Sequence, residues 1–388
     1  HRTDRTGFKA GALEAGLASA KGEFVAVFDA DFKPQADFLE QTVPFFRDPG
    51  IGMVQARWGH INKGFSLLTQ VQSIMLDGHF VIEHTARNRS GRFFNFNGTA
   101  GIWRRSTIAD AGGWEHDTLT EDLDLSYRAQ LKGWRFVFRN DLLAPAELPV
   151  EMNAFKNQQH RWAKGSIQVA MKLLPRILKS DAPRKVKREA FMHLTNNLAY
   201  VLMIVMSVML PFTLHLRIDH GWYKAVLLDL PFFLGATVSI CFFYLLAQNE
   251  AGNGTRLQRI LYLPIVMSIG IGLAVNNAVA TLEALLGHES PFVRTPKLAV
   301  DEATGDVKVP RSKRYRGAKS IMPFLELGLG LVYTYTVFYC IAQALWLALP
   351  FMLLFQFGFL YIGIMSLFQW VGLNRRPAKP AKKPATAA

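Results

Sequence analysis

Cysteine is almost absent: Cys241 and Cys340 are the only two in 388 residues, and each lies inside an apolar run. That excludes a disulfide scaffold and leaves no thiol pair spaced for redox or zinc chemistry. Acidic residues are scarce too, with 30 Asp and Glu against 44 Lys and Arg, for a formal charge of +14. Low-complexity polar sequence is confined to the end of the chain, and 29 Phe, 8 Trp and 10 Tyr exclude general disorder. What is abundant is apolar: half of all residues, with a mean hydropathy of +0.12. Such an apolar load beside so much charge indicates two kinds of territory in one chain.

The basic surplus is local. Segments 172–190, 287–322 and 373–388 carry +5, +4 and +5, the whole of the +14. A nucleic-acid binder spreads basic residues over a folded face with interleaved aromatics. Here each basic block abuts a long apolar run, as cytoplasmic membrane flanks do, so no nucleic-acid partner is expected.

Residues 1–171 read as α/β. Runs 23–28 (EFVAVF), 52–58 (GMVQARW) and 134–139 (WRFVFR) are strand-like, and 8–20 and 121–131 repeat apolar residues at three and four. This alternation implies a mostly parallel sheet covered by helices. After the basic linker 172–190, nearly uncharged runs at 191–216 and 229–248 are each long enough to span a bilayer, and 323–342 and 345–371 supply two more within 323–371. Segment 257–287 is equally apolar but carries Asn276, Asn277 and Glu283, which are costly at bilayer depth. Counting it as a crossing also places the basic loop 288–322 outside, against the positive-inside rule, so it reads as a broken or interfacial helix. The tail 372–388 reads as disordered. The chain opens at His1 in mid-phrase and reads as a fragment lacking its N-terminal part.

Three polar clusters carry candidate chemistry. Asp29-Ala30-Asp31 follows a strand, where two carboxylates can reach one hard divalent cation; an ordinary solvated turn is the plain alternative. Thr120-Glu121-Asp122 opens a helix; the residues suit simple capping, or Asp122 serves as a general base. Gln158-Gln159-His160-Arg161-Trp162 offers a guanidinium for phosphate and a flat ring for a sugar, or is an interfacial helix with a belt tryptophan.

Each cluster is ambiguous alone, but their order, followed by membrane helices, resembles the processive family 2 glycosyltransferases of the cellulose synthase superfamily. The narrower resemblance is to the plant cellulose-synthase-like A glucomannan/β-mannan synthases. It rests on RTGFKAGAL (5–13), VAVFDADFKPQADFL (25–39), VQARW (54–58), NGTAGIWRR (97–105), AGGW (111–114), LKGWRF (131–136) and ELP…QQHRW (147–162). It covers 2–166 densely and the membrane part by architecture only.

The resemblance implies a GT-A-type, Rossmann-like α/β domain, N-terminally incomplete, followed by an α-helical transmembrane bundle. It implies that Lys9, Asp29, Asp31, Gln158 and Arg161 bind the nucleotide-sugar donor and its diphosphate, with Mg²⁺ or Mn²⁺ on Asp29 and Asp31. Asp122 is implied as the catalytic base, and Phe96, Asn97, Gly98, Thr99, Glu121 and Trp162 as acceptor-binding. Phe292, Thr295 and Lys297 match a gating loop of the form FxVTxK, with Arg294 replacing its valine. The family's earlier DD-type aspartate falls before His1. The expected activity is inverting transfer of a hexose from GDP-mannose or UDP-glucose to a growing β-glycan, in a bacterial inner membrane with the catalytic domain cytoplasmic. Single-sugar transfer to a lipid, as by ceramide glucosyltransferases, and a transporter with a degenerate soluble domain are the alternatives.

Overall fold

The structure, a computed structural model, describes residues 6–219, 222–289 and 321–374, with side chains over 6–214, 234–289 and 321–370. Phe292, Thr295 and Lys297 of the gating-type loop lie outside the described residues, as does nearly all of the tail 372–388.

Among the described residues the sheet has four strands in the order β1-β3-β2-β4: β1 (Phe24–Val27), β2 (Ile51–His60), β3 (Gly101–Arg104) and β4 (Arg135–Ala146). β2 and β4 are parallel, but β3 runs antiparallel to both β1 and β2. The expected mostly parallel sheet is therefore a mixed one. The cause is β3, a fully buried four-residue strand with no alternating pattern to announce it.

Strand alternation divides the core between the two faces of the sheet. Met53, Trp103, Phe136 and Phe138 point to one face, where Leu13 and Leu17 of α1 (Phe8–Ser19) also pack. Val54, Ile102 and Leu142 point to the other, against Phe38 of α2 (Phe38–Thr42) and Phe46. α3 (Leu67–Asp77) begins at a capping box of Ser66 and Thr69 and runs on into a π-helical turn, Gly78–His84. The short α4 (Thr85–Arg89) and α5 (Arg105–Asp110) follow.

The helix that positions the site is α6 (Glu121–Leu131). Leu125 and Ala129 face the sheet core. Leu123 and Tyr127, on its other side, pack with Val169, Leu173 and Ile177 of α7 (Met152–Lys179) and with Ala190 and Leu194 of α8 (Arg184–Thr195). α6 is thus clamped between sheet and helices. α7 is brought unusually close at Gly165, where a Cβ would lie 2.6 Å from Thr120 Oγ1.

The C-terminal part is helical: α9 (Leu198–Asp219), α10 (Trp222–Glu250), α11 (Arg256–Gly272), α12 (Ala274–Leu285), α13 (Met322–Ala342) and α14 (Leu349–Asn374). Among the described residues, α13 and the first 22 residues of α14 are each long and apolar enough to cross a membrane. The bent pairs α8–α9 (53°) and α11–α12 (40°) also qualify if each is one span. Segment 257–287 is thus two helices, and its polar residues face protein. Asn276 Nδ2 donates to Lys156 O (2.9 Å), Thr281 Oγ1 donates to Asn197 O (3.2 Å), and Glu283 meets His160 and Lys164 of α7.

The first turns of α7 are sunk among α12, α13 and α14. Lys156 Nζ lies 2.6 Å from Glu326 Oε1, with side chains 6% and 0% exposed, and Asn153 bonds Gln369 Oε1 and Ser366 O. Breaking such a pair from one side strands a buried charge, whereas removing both partners does not. Lys156→Met or Glu326→Leu alone is expected to cost about 3–5 kcal/mol, and the double replacement to recover most of it. Thermal unfolding in detergent checks this: equal midpoints for the singles and the double would refute it.

Candidate active site

β1 delivers Asp29-Ala30-Asp31 at its carboxyl end, and the following turn is closed by Phe32 N–H donating to Asp29 O (3.0 Å). The phrase Asn97-Gly98-Thr99 is stitched alongside: Asp29 N–H donates to Thr99 Oγ1 (2.8 Å) and Ala100 N–H to Val27 O (2.9 Å). Lys9, from the first turn of α1, reaches across both. Its Nζ donates to Asp29 Oδ1 (2.9 Å) and to Gly98 O (2.8 Å).

Asp122 closes the cluster from α6. Gly98 has φ +80°, and an ideal Cβ there would lie 3.0 Å from Asp122 Oδ2 and 3.3 Å from Lys9 Nζ. Only glycine lets the loop before β3 pass so close to the carboxylate in that conformation. The capping role expected of Thr120 is not made: its side chain forms no cap bond, and Oγ1 has no hydrogen-bond partner among the described residues. Instead, Asp122 Oδ1 accepts from Leu123 N–H (2.9 Å), and Ser126 Oγ links Asp122 O (2.5 Å) to Phe96 N–H (2.9 Å).

Asp122 keeps some accessible surface, yet protein surrounds it closely. Burial first and the Glu121 carboxylate second push its pKa up to about 7, while Lys9 pulls the other way. Glu121 is also raised by burial, opposed by Lys9 and Arg161. A carboxyl poised near neutrality suits a general base.

On α7, Gln158, Arg161 and Gly165 share one helical face and His160 and Lys164 another. Burial pulls the Arg161 guanidinium down, and the charges opposing this are Glu121, Asp122 and Asp29. Arg161 is therefore electrostatically within the carboxylate cluster. Gln158 is half-buried one turn earlier. Trp162 lies 6.4 Å from Trp58 between ring centroids; Trp58 in turn meets Phe32 (5.4 Å) and Phe80 (5.2 Å). These rings form an aromatic shelf beside the Asp29–Asp31 turn.

The acceptor set inferred from sequence divides. Phe96 is 0% exposed and packs edge-on to Trp103, so its ring belongs to the core. The Asn97 amide is engaged by His79 and His84. Gly98 and Thr99 contribute backbone and hydroxyl to the cradle. Sequence reasoning missed Trp58, His79, Glu83 and Gln55, whose Oε1 accepts from Asn97 N–H (3.1 Å). Gln55 and Trp58 stood within VQARW, where a polar residue inside a buried strand was the available signal.

Asp29 and Asp31 are hard oxygen donors suited to Mg²⁺ or Mn²⁺, with one oxygen of Asp29 already held by Lys9. Elsewhere, Glu115, Asp117 and Asp124 also converge closely enough for an ion. Lys172 Nζ stands among them, at 2.5, 2.8 and 3.0 Å, and already supplies the positive charge.

Residues 24–253 match the family model of glycosyl transferase family group 2. The chain is 41% identical over 212 residues to the probable glucomannan 4-beta-mannosyltransferase 4 of Oryza sativa subsp. japonica, covering 54% of this chain and 38% of that one. It is 44% identical over 191 residues to glucomannan 4-beta-mannosyltransferase 2 of Arabidopsis thaliana (48% and 36%). With the probable glucomannan 4-beta-mannosyltransferase 9 of Oryza sativa subsp. japonica it shares 34% over 314 residues (76% and 56%). The chain thus spans about half the length of these relatives or less. Among solved structures, a mannosyltransferase from Pyrobaculum calidifontis in complex with GDP-Man and Mn²⁺ aligns with TM-score 0.42 and 17% identity, over 74% of this chain and 68% of that one. The chain belongs to glycosyl transferase family group 2, and its mixed sheet with flanking helices is the GT-A-type domain expected of it.

Gly98→Ala places a side chain in the left-handed region and against Asp122. It is expected to lower stability by about 1–2 kcal/mol from the backbone alone. An unchanged midpoint in thermal unfolding would show that the cradle relaxes freely.

Proposed function

We propose that the chain carries the catalytic and membrane parts of an inverting hexosyltransferase that extends a β-linked polysaccharide of the glucomannan, mannan or cellulose type from a nucleotide sugar. The observation that carries this reading is the cluster itself: Lys9 bridging Asp29 to the Gly98 carbonyl, Asp122 against that glycine, and Arg161 within the field of Asp29, Glu121 and Asp122. The names of the relatives favour a mannosyl donor, GDP-mannose, over UDP-glucose.

In this mechanism Asp122 removes the proton of an acceptor hydroxyl as its oxygen attacks the anomeric carbon. The bond to the nucleoside diphosphate breaks on the opposite face, so an α-linked donor gives a β-linked product. Lys9 and Arg161 take up negative charge on the departing diphosphate. Two cations face four carboxyls here, so an anionic donor is best received together with a divalent cation. Asp29 and Asp31 would hold that ion, Mg²⁺ or Mn²⁺, which when bound supplies Lewis-acid stabilisation of the leaving group. Trp162 and Trp58 offer the acceptor sugar a stacking surface. The basic segment 172–190 supports a cytoplasmic catalytic domain under the positive-inside rule.

Asp122→Asn in the full-length protein is expected to lower sugar incorporation by about 10²–10⁴-fold while nucleotide affinity stays within a few-fold. Membranes supplied with each labelled nucleotide sugar, followed by chain-length and linkage analysis, check it. Unchanged turnover removes Asp122 as the base, and products limited to one added sugar remove polymer extension.

The pH profile follows from the same carboxyl. The base acts ionised, and its pKa is raised from 3.8 to about 7, so kcat/KM should rise roughly tenfold per unit below that pH and level off above it. Lys9→Met removes a cation that favours the ionised form and should move this acid limb to higher pH. An acid limb near pH 4 in both proteins would contradict the assignment.

A further inference from the structure

A chain of hydrogen bonds leads from the membrane-side helix α8 into the cradle. Arg87 Nε donates to Glu189 Oε1 of α8 (2.8 Å), and Arg87 also reaches Glu83 Oε2 (3.3 Å). His79 Nδ1 lies 3.1 Å from the same Glu83 oxygen, His79 Nε2 lies 3.0 Å from Asn97 Nδ2, and His84 Nε2 lies 2.7 Å from Asn97 Oδ1. The next residue is Gly98, whose carbonyl receives Lys9.

The protons along this chain assign themselves. His84 is buried and held neutral, with its pKa driven well down by burial and by neighbouring positive charge. Its Nδ1 has no hydrogen-bond partner among the described residues, whereas Nε2 faces the oxygens Asn95 O (3.1 Å) and Asn97 Oδ1. Its one proton is therefore on Nε2. The Asn97 oxygen then faces His84, and its NH₂ must face His79 Nε2, which accepts. His79 Nδ1–H donates to Glu83. Burial alone would raise Glu83, but the hydrogen bond from His79 and the charge of Arg87 hold it below the usual carboxylate range, so it accepts as a carboxylate.

The local backbone exists to make this possible. In an α-helix, residues five apart, such as 79 and 84, sit about 140° apart around the axis. The π-helical turn Gly78–His84 brings the two imidazoles onto one face, with ring centroids 4.4 Å apart, so that both reach one amide. π-turns are rare and concentrate at functional sites.

We infer that His79 and Glu83 are positioning residues for the transfer reaction. They fix the Asn97 amide and, through the Asn97–Gly98 backbone, the carbonyl on which Lys9 rests while it holds Asp29. Neither touches the reacting atoms. The role rests on the transferase reading above, but its geometric core, the seating of Lys9, does not.

The test uses the full-length protein and six variants: His79→Leu, His79→Gln, Asn97→Ala, Asn97→Ala with His79→Leu, Glu83→Gln and Asp122→Asn. Glutamine can present an accepting oxygen near the Nε2 position; leucine cannot. Two readouts are taken: kcat and KM for the donor, and the rate at which an N-hydroxysuccinimide ester acetylates Lys9, followed by mass spectrometry. His79→Leu is expected to lower kcat about 10–100-fold, with KM within about threefold, and to raise Lys9 acetylation several-fold. His79→Gln should restore both to near wild type. The double variant should be no slower than Asn97→Ala alone, because both act through one amide. Glu83→Gln, the mildest change, is expected to give a partial version of the leucine effect and serves if leucine prevents folding. Unchanged Lys9 acetylation in His79→Leu and Glu83→Gln overturns the inference, as do losses in kcat that multiply in the double variant. Asp122→Asn is run in parallel. If it turns over like wild type, Asp122 is not the base, and if the wild-type protein itself incorporates no sugar the transferase reading fails; in either case Lys9 acetylation still decides whether His79 seats the lysine.

Discussion

The Lys9 ammonium, held between a carboxylate of Asp29 and the carbonyl of Gly98, is the contact from which the site's geometry follows. It ties the first helix to the end of β1 and to the loop before β3, three segments far apart in the chain. It also acts on Glu121 and Asp122, two carboxyls closely surrounded by protein. At about 4 Å and an effective dielectric of about 20, two unit charges interact by about 4 kcal/mol. Burial opposes the ionisation of Glu121 and Asp122 there, and among the charges that act on them Lys9 and Arg161 are the ones of opposite sign. The two come from opposite ends of the catalytic part, so the site exists only when the whole domain is closed.

One helix joins that site to the hydrophobic bundle. The first turns of α7 carry Lys156, paired with Glu326 of α13. Its next turns carry Arg161 and Trp162, and its last half packs Val169, Leu173 and Ile177 on α6 and α8. On the face turned away from the site, His160 and Lys164 both contact Glu283 of α12, with Lys164 wholly buried. A rotation of α7 that would move Arg161 has to break ion pairs at two other levels. The guanidinium is therefore seated by the bundle as much as by the sheet.

How far this was legible in the sequence can be judged element by element. β1, β2, β4, α1 and α6 announce themselves because Val and Phe alternate in the strands and apolar residues recur at three and four in the helices. β3 does not: four buried residues, GIWR, carry no alternation, and with them the sheet's mixed direction is hidden. Asp29, Asp122 and Arg161 were found by order and spacing, not by any local feature that distinguished them from a turn, a cap and an interfacial helix. His79 and Glu83 were passed over because a π-helical turn has no period that an α or β template detects, and a histidine in an apolar stretch reads as core. Asn276 and Glu283 looked expensive at membrane depth because their partners on α7 lie more than a hundred positions away, and Asn277 is partnered by Asn276 beside it.

The same charges that equip the site also oppose the fold. Glu121 and Asp122 have pKa values raised in the native state, so the folded chain binds their protons more tightly than the unfolded chain does. Their contribution to stability is therefore greatest below the ordinary carboxylate range and declines as pH rises from there toward about 7, the region in which the proposed base ionises. Catalytic competence and this part of the folding free energy move in opposite directions with pH. Something unrelated to the carboxyls must hold α6 in place. Leu125 and Ala129 on the sheet and Leu123 and Tyr127 on α7 and α8 do so, all within 7% of full burial. A helix gripped on both sides by apolar contacts can keep two like charges at its first turn, and α7, itself tied to α12 and α13 by ion pairs, forms one of those sides.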